Sequence, residues 1–213
     1  MGLRKSTWRA AGGLIVLMVL VLGMVWAYWR QRSGDIADGE THASLSIRSS
    51  SFADGGNIPK RLTCDGAGLS PELQWSSPPA GTRSLVLVMD DPAFGFVHWV
   101  LYNIPAGTRE FAEGASTQGE LPHGASEGIN DTDKNGYFGP CPPGKSQHRY
   151  VIRLYALDAT LDLPSGKTKK ELAAAVKGRV LAEGQLTGFY GRGSEKVRKR
   201  ALPKTPRVNP SLP

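Results

Sequence analysis

The sequence has few of the residues on which metal and thiol chemistry depend, with two cysteines and four histidines among 213 residues. No Cys-x-x-Cys or His-x-x-x-His pair is present to begin a zinc site. No G-x-G-x-x-G fingerprint indicates a dinucleotide site. Cys141 stands between two prolines and is poorly placed to act as a nucleophile. We therefore expect a protein without a metal, a cofactor or a catalytic residue, and not an enzyme.

The middle of the chain has no excess of positive charge, although the formal net charge of the whole chain is +7. Residues 1–32 hold five basic residues and no acidic one, and residues 192–213 hold seven basic residues against Glu195. Residues 33–191 hold the remaining 14 basic and 18 acidic residues. Because a nucleic-acid surface needs basic side chains on the folded part, we expect no nucleic-acid partner.

One long hydrophobic run differs from the rest of the sequence. Residues 10–29 contain no charged side chain, and as a helix they would span about 30 Å, the thickness of the bilayer's hydrocarbon core. Trp26 and Trp29 would lie in an interfacial aromatic belt, with Arg30 just beyond it. The run predicts a transmembrane anchor over residues 10–29, after a cytoplasmic N-terminus of residues 1–9.

A cleaved signal peptide and a buried core helix are the alternatives to this anchor. The run is long for a signal peptide, and no small-x-small cleavage site precedes Arg30. The basic flank before the span slightly exceeds the one after it, which favours a domain outside the cytoplasm. We therefore expect a single-pass protein of the cell inner membrane, with its domain on the periplasmic side.

The remaining sequence predicts a mainly β domain over residues 45–192. A polar linker (residues 30–44) precedes it, and a disordered basic tail (residues 193–213) follows it. Residues 85–89 and 99–104 are apolar at every or nearly every position, as expected for strands in the interior of a sheet. Short segments of this kind, separated by Gly and Pro, favour strands over a helical bundle.

Three segments in the second half of the chain complete this prediction. The Gly- and Ser-rich residues 108–137 predict a long loop. A capping box at Thr168 and Glu171 predicts a helix that continues to Val180. Residues 185–190 alternate as a last strand would.

Polar side chains lie at the ends of three predicted strands. Asp91 ends one strand and precedes Pro92, His98 opens the next strand, and His148 follows a Gly- and Pro-rich loop and opens a third. Neighbouring strand ends can direct these groups into one cavity. Imidazoles beside the backbone amides of such a loop would form a receptor for an anion of the size of phosphate or acetate.

The two cysteines, Cys64 and Cys141, allow two interpretations. Outside the cytoplasm they could form a disulfide, which would join the TCDG segment to the GPCPP loop. They could equally remain two separate reduced thiols.

At these residues the chain resembles the phosphatidylethanolamine-binding protein family, in its bacterial and archaeal Raf-kinase-inhibitor-like branch. The resemblance covers about residues 45–192 and consists of four blocks in the family's order: IPKRLTCDGAGLSPELQW, SLVLVMDDPAFGFVHWVLYNIPAGT, NGYFGPCPPGKSQHRYVIRLYALD and LAEGQLTGFYGR. It implies an antiparallel β-sandwich-like fold with one or two peripheral helices. It also implies a small anion pocket formed by Asp91, His98, Pro142, His148 and Tyr150.

Two departures from the family's pattern concern this pocket. Ala93 stands where the family commonly has a second acid, and Arg179 stands where many relatives carry a histidine on a helix that covers the pocket. With these departures the pocket would be more positive and favour an anionic head group, or the family's original ligand would have been lost.

From these observations we expect a membrane-anchored binding protein for phosphate- or carboxylate-bearing ligands such as phospholipid head groups. One alternative is an interaction protein that inhibits a protease or kinase through the pocket rim. Another is a hydrolase that uses the His/Asp cluster on a small ester.

Overall fold

The structure is a computed structural model that describes residues 36, 42–117, 121 and 125–193. This part of the chain contains ten strands, one α-helix and a 3-10 turn. They are β1 (Ala43–Ser44), β2 (Ile47–Arg48), β3 (Gly56–Asn57), the 3-10 turn (Lys60–Leu62), β4 (Leu73–Trp75), β5 (Ser84–Asp91), β6 (Phe96–Pro105), β7 (Glu110–Phe111), β8 (Ser126–Glu127), β9 (His148–Leu157), α1 (Lys169–Val176) and β10 (Val180–Tyr190).

The strands form one large sheet and one small sheet, which confirms the prediction of a mainly β domain. The large sheet has the order β1-β10-β9-β5-β6-β8, with β3 also paired to β10, and the small sheet has the order β2-β4-β7. The long strands pair antiparallel as predicted, but the short strands β1 and β3 pair with β10 in parallel.

The large sheet has a hydrophobic core on each face because its central strand β5 is buried at all eight positions. Leu85, Leu87 and Met89 of β5 pack in one core, which also contains Trp75 and Phe111 of the small sheet. The alternate side chains of β5 pack in a second core with helix α1. This alternation directs successive side chains of β5 to opposite faces.

Helix α1 begins as the capping box predicts and ends earlier than predicted. The Thr168 hydroxyl accepts a hydrogen bond from the Glu171 backbone N–H, and the Glu171 carboxylate accepts one from the Thr168 N–H. The helix ends at Val176, and Gly178 follows it at φ +69°, a conformation that favours glycine. Val180 therefore opens strand β10, so the prediction of a helix to Val180 is wrong.

Several predicted boundaries also differ from the observed ones. The segment predicted as a loop over residues 108–137 contains β7 and β8, two strands too short for a period-2 pattern to show. Strand β10 begins five residues before its predicted start at Gln185. Two parts of the predicted linker belong to the fold. Ile36 is buried in the second core, and strand β1 pairs with β10.

The predicted membrane anchor, residues 10–29, lies outside the described residues, as do residues 1–9 and residues 194–213 of the predicted tail. Within the part of the chain that the structure describes, no helix has the length and hydrophobicity to cross a bilayer.

Candidate functional site

Three strand ends meet at one edge of the large sheet. Strand β5 lies between β6 and β9 and runs antiparallel to both, so the end of β5 lies beside the beginnings of its two neighbours. This topology places Asp91 between His98 near the start of β6 and His148 at the start of β9. The predicted convergence of these three residues therefore follows from the strand order.

Asp91 and His148 form a buried pair. The Asp91 Oδ2 lies 2.6 Å from His148 Nδ1, and the two side chains are 4% and 5% exposed. The other oxygen of Asp91 accepts a hydrogen bond of 3.1 Å from the Ala93 N–H in the turn after β5. Because Nδ1 of His148 is occupied, Nε2 is the ring nitrogen left for a ligand.

The neighbouring acid, Asp90, serves the opposite face of the sheet. Its carboxylate lies 2.9 Å from Arg153 of β9 and 2.6 Å from Lys169 of helix α1. The period-2 alternation of β5 thus separates the two acids of the DDP motif. Asp90 fixes α1 to the sheet, whereas Asp91 faces the cavity.

His98 occupies a bulge in β6. Met89 pairs with Trp99 and Asp90 pairs with Val97, so His98 is an extra residue without a partner on β5. Its Nδ1 lies 2.8 Å from the carbonyl oxygen of Phe138. Since a carbonyl can only accept, Nδ1 carries the proton. A bulge that re-aims one side chain beside a cavity is a common device in sheets.

Burial lowers the pKa of His98, and the hydrogen bond to Phe138 opposes this effect only in part. An anion receptor needs hydrogen-bond donors at the ring nitrogens that face the ligand. A neutral His98 whose Nδ1–H is used by Phe138 presents an acceptor at Nε2, and it becomes a donor there only when protonated.

These side chains surround a cavity of about 420 Å³. Tyr150 lines it, and its ring contacts that of His98 edge to face at a centroid distance of 5.1 Å. Burial, with a smaller contribution from Asp91, raises the pKa of the Tyr150 phenol, so the hydroxyl keeps its proton and can donate. The cavity thus combines a few polar groups with a mostly apolar lining, which is typical of small-molecule sites.

The loop before β9 supplies one wall of the cavity. Pro142 is buried in this wall, and Cys141 beside it is joined to Cys64 by a disulfide with a Cα–Cα distance of 5.3 Å. Of the two interpretations of the cysteines, the structure has the disulfide.

All five predicted ligand-binding residues line the same cavity, together with residues that were not predicted. Phe94 stacks on His148 with ring centroids 4.3 Å apart and is 62% exposed at the cavity mouth. The aromatic residues of the FGF segment (residues 94–96) and the YFG segment (residues 137–139) could have indicated this part of the lining. The residues missed are Phe94, Phe96, Thr132, Phe138 and Pro143.

Arg179 does not contribute to this cavity. It lies at the end of β9 opposite His148, where its guanidinium is 3.9 Å from the exposed Asp158. It is not part of the helix, which ends at Val176. Among the described residues, no Lys or Arg lines the cavity. Nor does any group of three or more His, Cys, Asp or Glu side chains within the described ranges form an arrangement able to hold a metal ion.

Two short sequence patterns lack the structure that their usual chemistry requires. Residues 139–146 fit G-x-x-x-x-G-K-S, but they lead into strand β9 rather than a helix, and three prolines remove N–H groups that a phosphate loop needs. Residues 124–128 fit G-x-S-x-G, but Ser126 lies within strand β8 and not at a strand-to-helix turn.

The fold and this cavity define a two-sheet β domain with a cavity at one sheet edge. Residues 48–191 match the family model described as phosphatidylethanolamine-binding protein. The chain belongs to the phosphatidylethanolamine-binding protein family, as its sequence resemblance implies.

Relatives and solved structures agree with this assignment. A UPF0098 protein of Methanothermobacter thermautotrophicus is 43% identical over 152 residues, which are 70% of this chain and 100% of that protein. A Mycobacterium tuberculosis protein named "Putative lipoprotein LppC" is 41% identical over 150 residues, covering 68% of this chain and 72% of its own length.

Two crystal structures show the same fold. CT736 of Chlamydia trachomatis superposes with a TM-score of 0.63 at 35% identity, covering 70% of this chain and 98% of CT736. YbcL of E. coli, described as a member of the mammalian PEBP family, superposes with a TM-score of 0.65 at 27% identity, covering 70% and 99% of the two chains.

Proposed function

We propose that this protein is a membrane-anchored binding protein whose cavity holds a small phosphate- or carboxylate-bearing ligand, such as a phospholipid head group. The observation that carries the proposal is the buried Asp91–His148 pair beside a mostly apolar cavity. Asp91 orients the imidazole and provides a counter-charge for its protonated form. The ring nitrogen Nε2 of His148 can then donate a charge-assisted hydrogen bond to an anionic oxygen.

Hydrogen-bond donors take the role that Lys or Arg has in more basic anion sites. Tyr150 offers a phenolic O–H, and His98 offers a second donor once it is protonated. A bound anion favours the protonated form of His98, so binding of the anion is coupled to uptake of a proton. The aromatic and proline side chains around these donors exclude water and strengthen each hydrogen bond.

A binding role is favoured over ester hydrolysis by the partners of His148. Within the described residues the only hydrogen-bond partner of its ring is Asp91, and no serine, threonine or cysteine is paired with the ring as a nucleophile. The sulfur of Cys141 is held in a disulfide. A general base without a nucleophile beside it suits ligand binding better than covalent catalysis.

The membrane location rests on the composition of residues 10–29 and on the lipoprotein name of one relative. In this proposal a helical span holds the domain on the extracytoplasmic side, where a disulfide is stable.

Identification of the ligand that co-purifies with the full chain tests the proposal. The protein is extracted from membranes in a mild detergent and examined by native mass spectrometry, beside the matched variant His148→Gln. The proposal predicts an added mass containing a phosphate or carboxylate group that is lost in the variant. An adduct without a phosphate or carboxylate group, or an adduct retained by His148→Gln, would contradict it.

A further inference from the structure

The Cys64–Cys141 disulfide connects the protein surface to the cavity. Cys141 lines the cavity beside Pro142, whereas Cys64 is exposed. The Cys64 N–H donates a hydrogen bond of 3.2 Å to the carbonyl oxygen of Pro140. The cross-link thus holds the cavity wall, residues 140–147, against the segment that follows the 3-10 turn.

A guanidinium group lies against both sulfur atoms. Arg192 Nη2 is 3.2 Å from Cys64 Sγ and 3.4 Å from Cys141 Sγ. Arg192 is held in place by Asp65, whose carboxylate lies 2.8 Å from Nε, and by the carbonyl oxygen of Pro142, 2.9 Å from Nη1. The Asp65 contact lies outside the cavity wall, so the cation keeps this partner when the S–S bond opens, whereas the Pro142 contact belongs to the wall.

A cation in this position favours thiol–disulfide exchange both when a thiolate attacks and when a thiolate leaves. An attacking thiolate is attracted to a positive group beside an exposed sulfur, and the thiolate that leaves is stabilised by the same charge. Exposed disulfides are the more reducible ones, whereas buried structural disulfides resist reduction.

We propose that Cys64–Cys141 is a thiol–disulfide exchange site, with Cys64 as the attacked sulfur and Arg192 as the residue that stabilises the departing Cys141 thiolate. The reactant is a dithiol. Its thiolate forms a mixed disulfide with Cys64, and the S–S bond to Cys141 breaks. Its second thiol then displaces Cys64 as a thiolate. The dithiol is oxidised to a disulfide by two electrons, and the protein disulfide is reduced to two thiols, which take up the two protons that the dithiol releases.

Reduction is expected to release the cavity wall without unfolding the domain. The Tyr137 hydroxyl donates a hydrogen bond of 2.7 Å to the carbonyl oxygen of Leu62, so the segment before the wall stays attached. Gly139 packs closely on the same backbone, where an added Cβ would lie 2.8 Å from the Leu62 oxygen. Opening of the disulfide removes the covalent attachment of the wall to this segment and leaves weaker hydrogen bonds, such as those that Cys64 donates to Pro140 and Arg192 donates to Pro142.

The exchange step is tested on the full chain in detergent. The protein is treated with glutathione, quenched with iodoacetamide and digested, and the peptides are identified by mass spectrometry. Glutathione on Cys64 with alkylated Cys141 is the expected product, and the reverse pattern would overturn the assignment of the attacked sulfur.

The role of Arg192 is tested by the rate of reduction with dithiothreitol. Arg192→Gln is expected to slow the reaction by roughly three- to tenfold, from the dependence of exchange on the leaving thiol. Arg192→Lys should keep most of the rate, and Arg179→Gln, with the same charge loss at the other end of β9, should keep all of it. An unchanged rate in Arg192→Gln, or equal slowing in both glutamine variants, would contradict the proposal.

Release of the wall is followed by amide hydrogen exchange without any ligand. Reduction should accelerate exchange in residues 140–147 and leave strands β5, β6 and β9 protected. Unchanged exchange in the wall, or loss of protection throughout the sheet, would overturn this part.

A consequence of wall release is that reduction weakens ligand binding, and this consequence rests on the proposed function. Phosphate titrations of the oxidised and the reduced protein separate the two ideas. Weaker binding after reduction supports the coupling, and equal binding overturns it. If the oxidised protein binds neither phosphate nor acetate, the proposed function fails, while the exchange and wall-release results are judged by themselves.

Discussion

His148 Nδ1 and Asp91 Oδ2 lie 2.6 Å apart in a pair that is almost fully removed from solvent, at the junction of strands β5 and β9. A carboxylate in such a place is stable because the imidazole satisfies it. The pair consequently contributes to folding as well as to the cavity, and the two contributions can be measured separately.

Removal of one partner of this pair should cost more than removal of both. We expect His148→Ala to lower the free energy of unfolding by about 3 kcal/mol, because the Asp91 carboxylate stays buried without its partner. Addition of Asp91→Asn to that variant should restore at least about 1 kcal/mol, since the unpaired charge is gone. Urea denaturation at pH 7 of the two single variants and the double variant measures these differences. Strictly additive losses would show that the two side chains do not act as a pair.

The stability of the domain should depend on His98 below about pH 6.5, the ordinary pKa of histidine. Because burial lowers the pKa of His98 in the folded state, the unfolded chain takes up a proton first as the pH falls. The free energy of unfolding contributed by His98 is therefore complete above about pH 6.5, falls as the pH drops below that value, and levels off below the folded pKa. Urea denaturation of wild type and His98→Gln from pH 5 to 8 should show that wild type loses free energy of unfolding relative to the variant as the pH falls. Parallel pH profiles would contradict it.

Gly184 of strand β10 should not accept a side chain. A Cβ at this position would lie 2.4 Å from the backbone oxygen of Leu45, next to the 2.7 Å hydrogen bond from the Leu45 N–H to Glu183. We expect Gly184→Ala to cost about 1–3 kcal/mol through this clash. The control is Gly107→Ala, where a Cβ meets no atom within 4 Å. Equal stability of the two variants in urea would contradict the predicted packing of the chain before β2 on β10.

A charge in the middle of the proposed anchor should release the protein from membranes. An arginine at the centre of a membrane helix costs about 2.5–3.5 kcal/mol on insertion scales. Val21→Arg should therefore shift the full chain from the membrane fraction to the soluble fraction after an alkaline wash, while Glu195→Arg should not. Membrane retention of Val21→Arg would contradict the anchor, and release of both proteins by salt alone would indicate an electrostatic attachment instead.

The convergence of the site could be predicted because it depends on strand ends. Asp91, His98 and His148 each adjoin an apolar segment, and antiparallel strands bring such ends to one edge. The family resemblance added Pro142 and Tyr150 to the same cavity.

What could not be predicted depends on loop geometry and register. The bulge at His98 and the stacking of Phe94 on His148 have no periodic signal in the sequence. The protonation pattern of His98 follows from one backbone carbonyl, at Phe138, 40 residues further along the chain. Arg179 was misplaced because the helix ends at Val176, and a helical pattern does not show where the chain turns away.

The most direct test of the anion site is the affinity of the full chain for phosphate at pH 6.5, measured by NMR titration in detergent for wild type, His148→Gln and the control Arg179→Gln. Loss of the charge-assisted hydrogen bond from His148 should weaken binding by roughly 10- to 100-fold, and the control should match wild type. Since each imidazole donates from Nε2 only when it is protonated, acetate, which stays ionised from pH 6 to 8, should bind wild type more tightly as the pH falls. Equal phosphate affinity in wild type and His148→Gln would contradict the account.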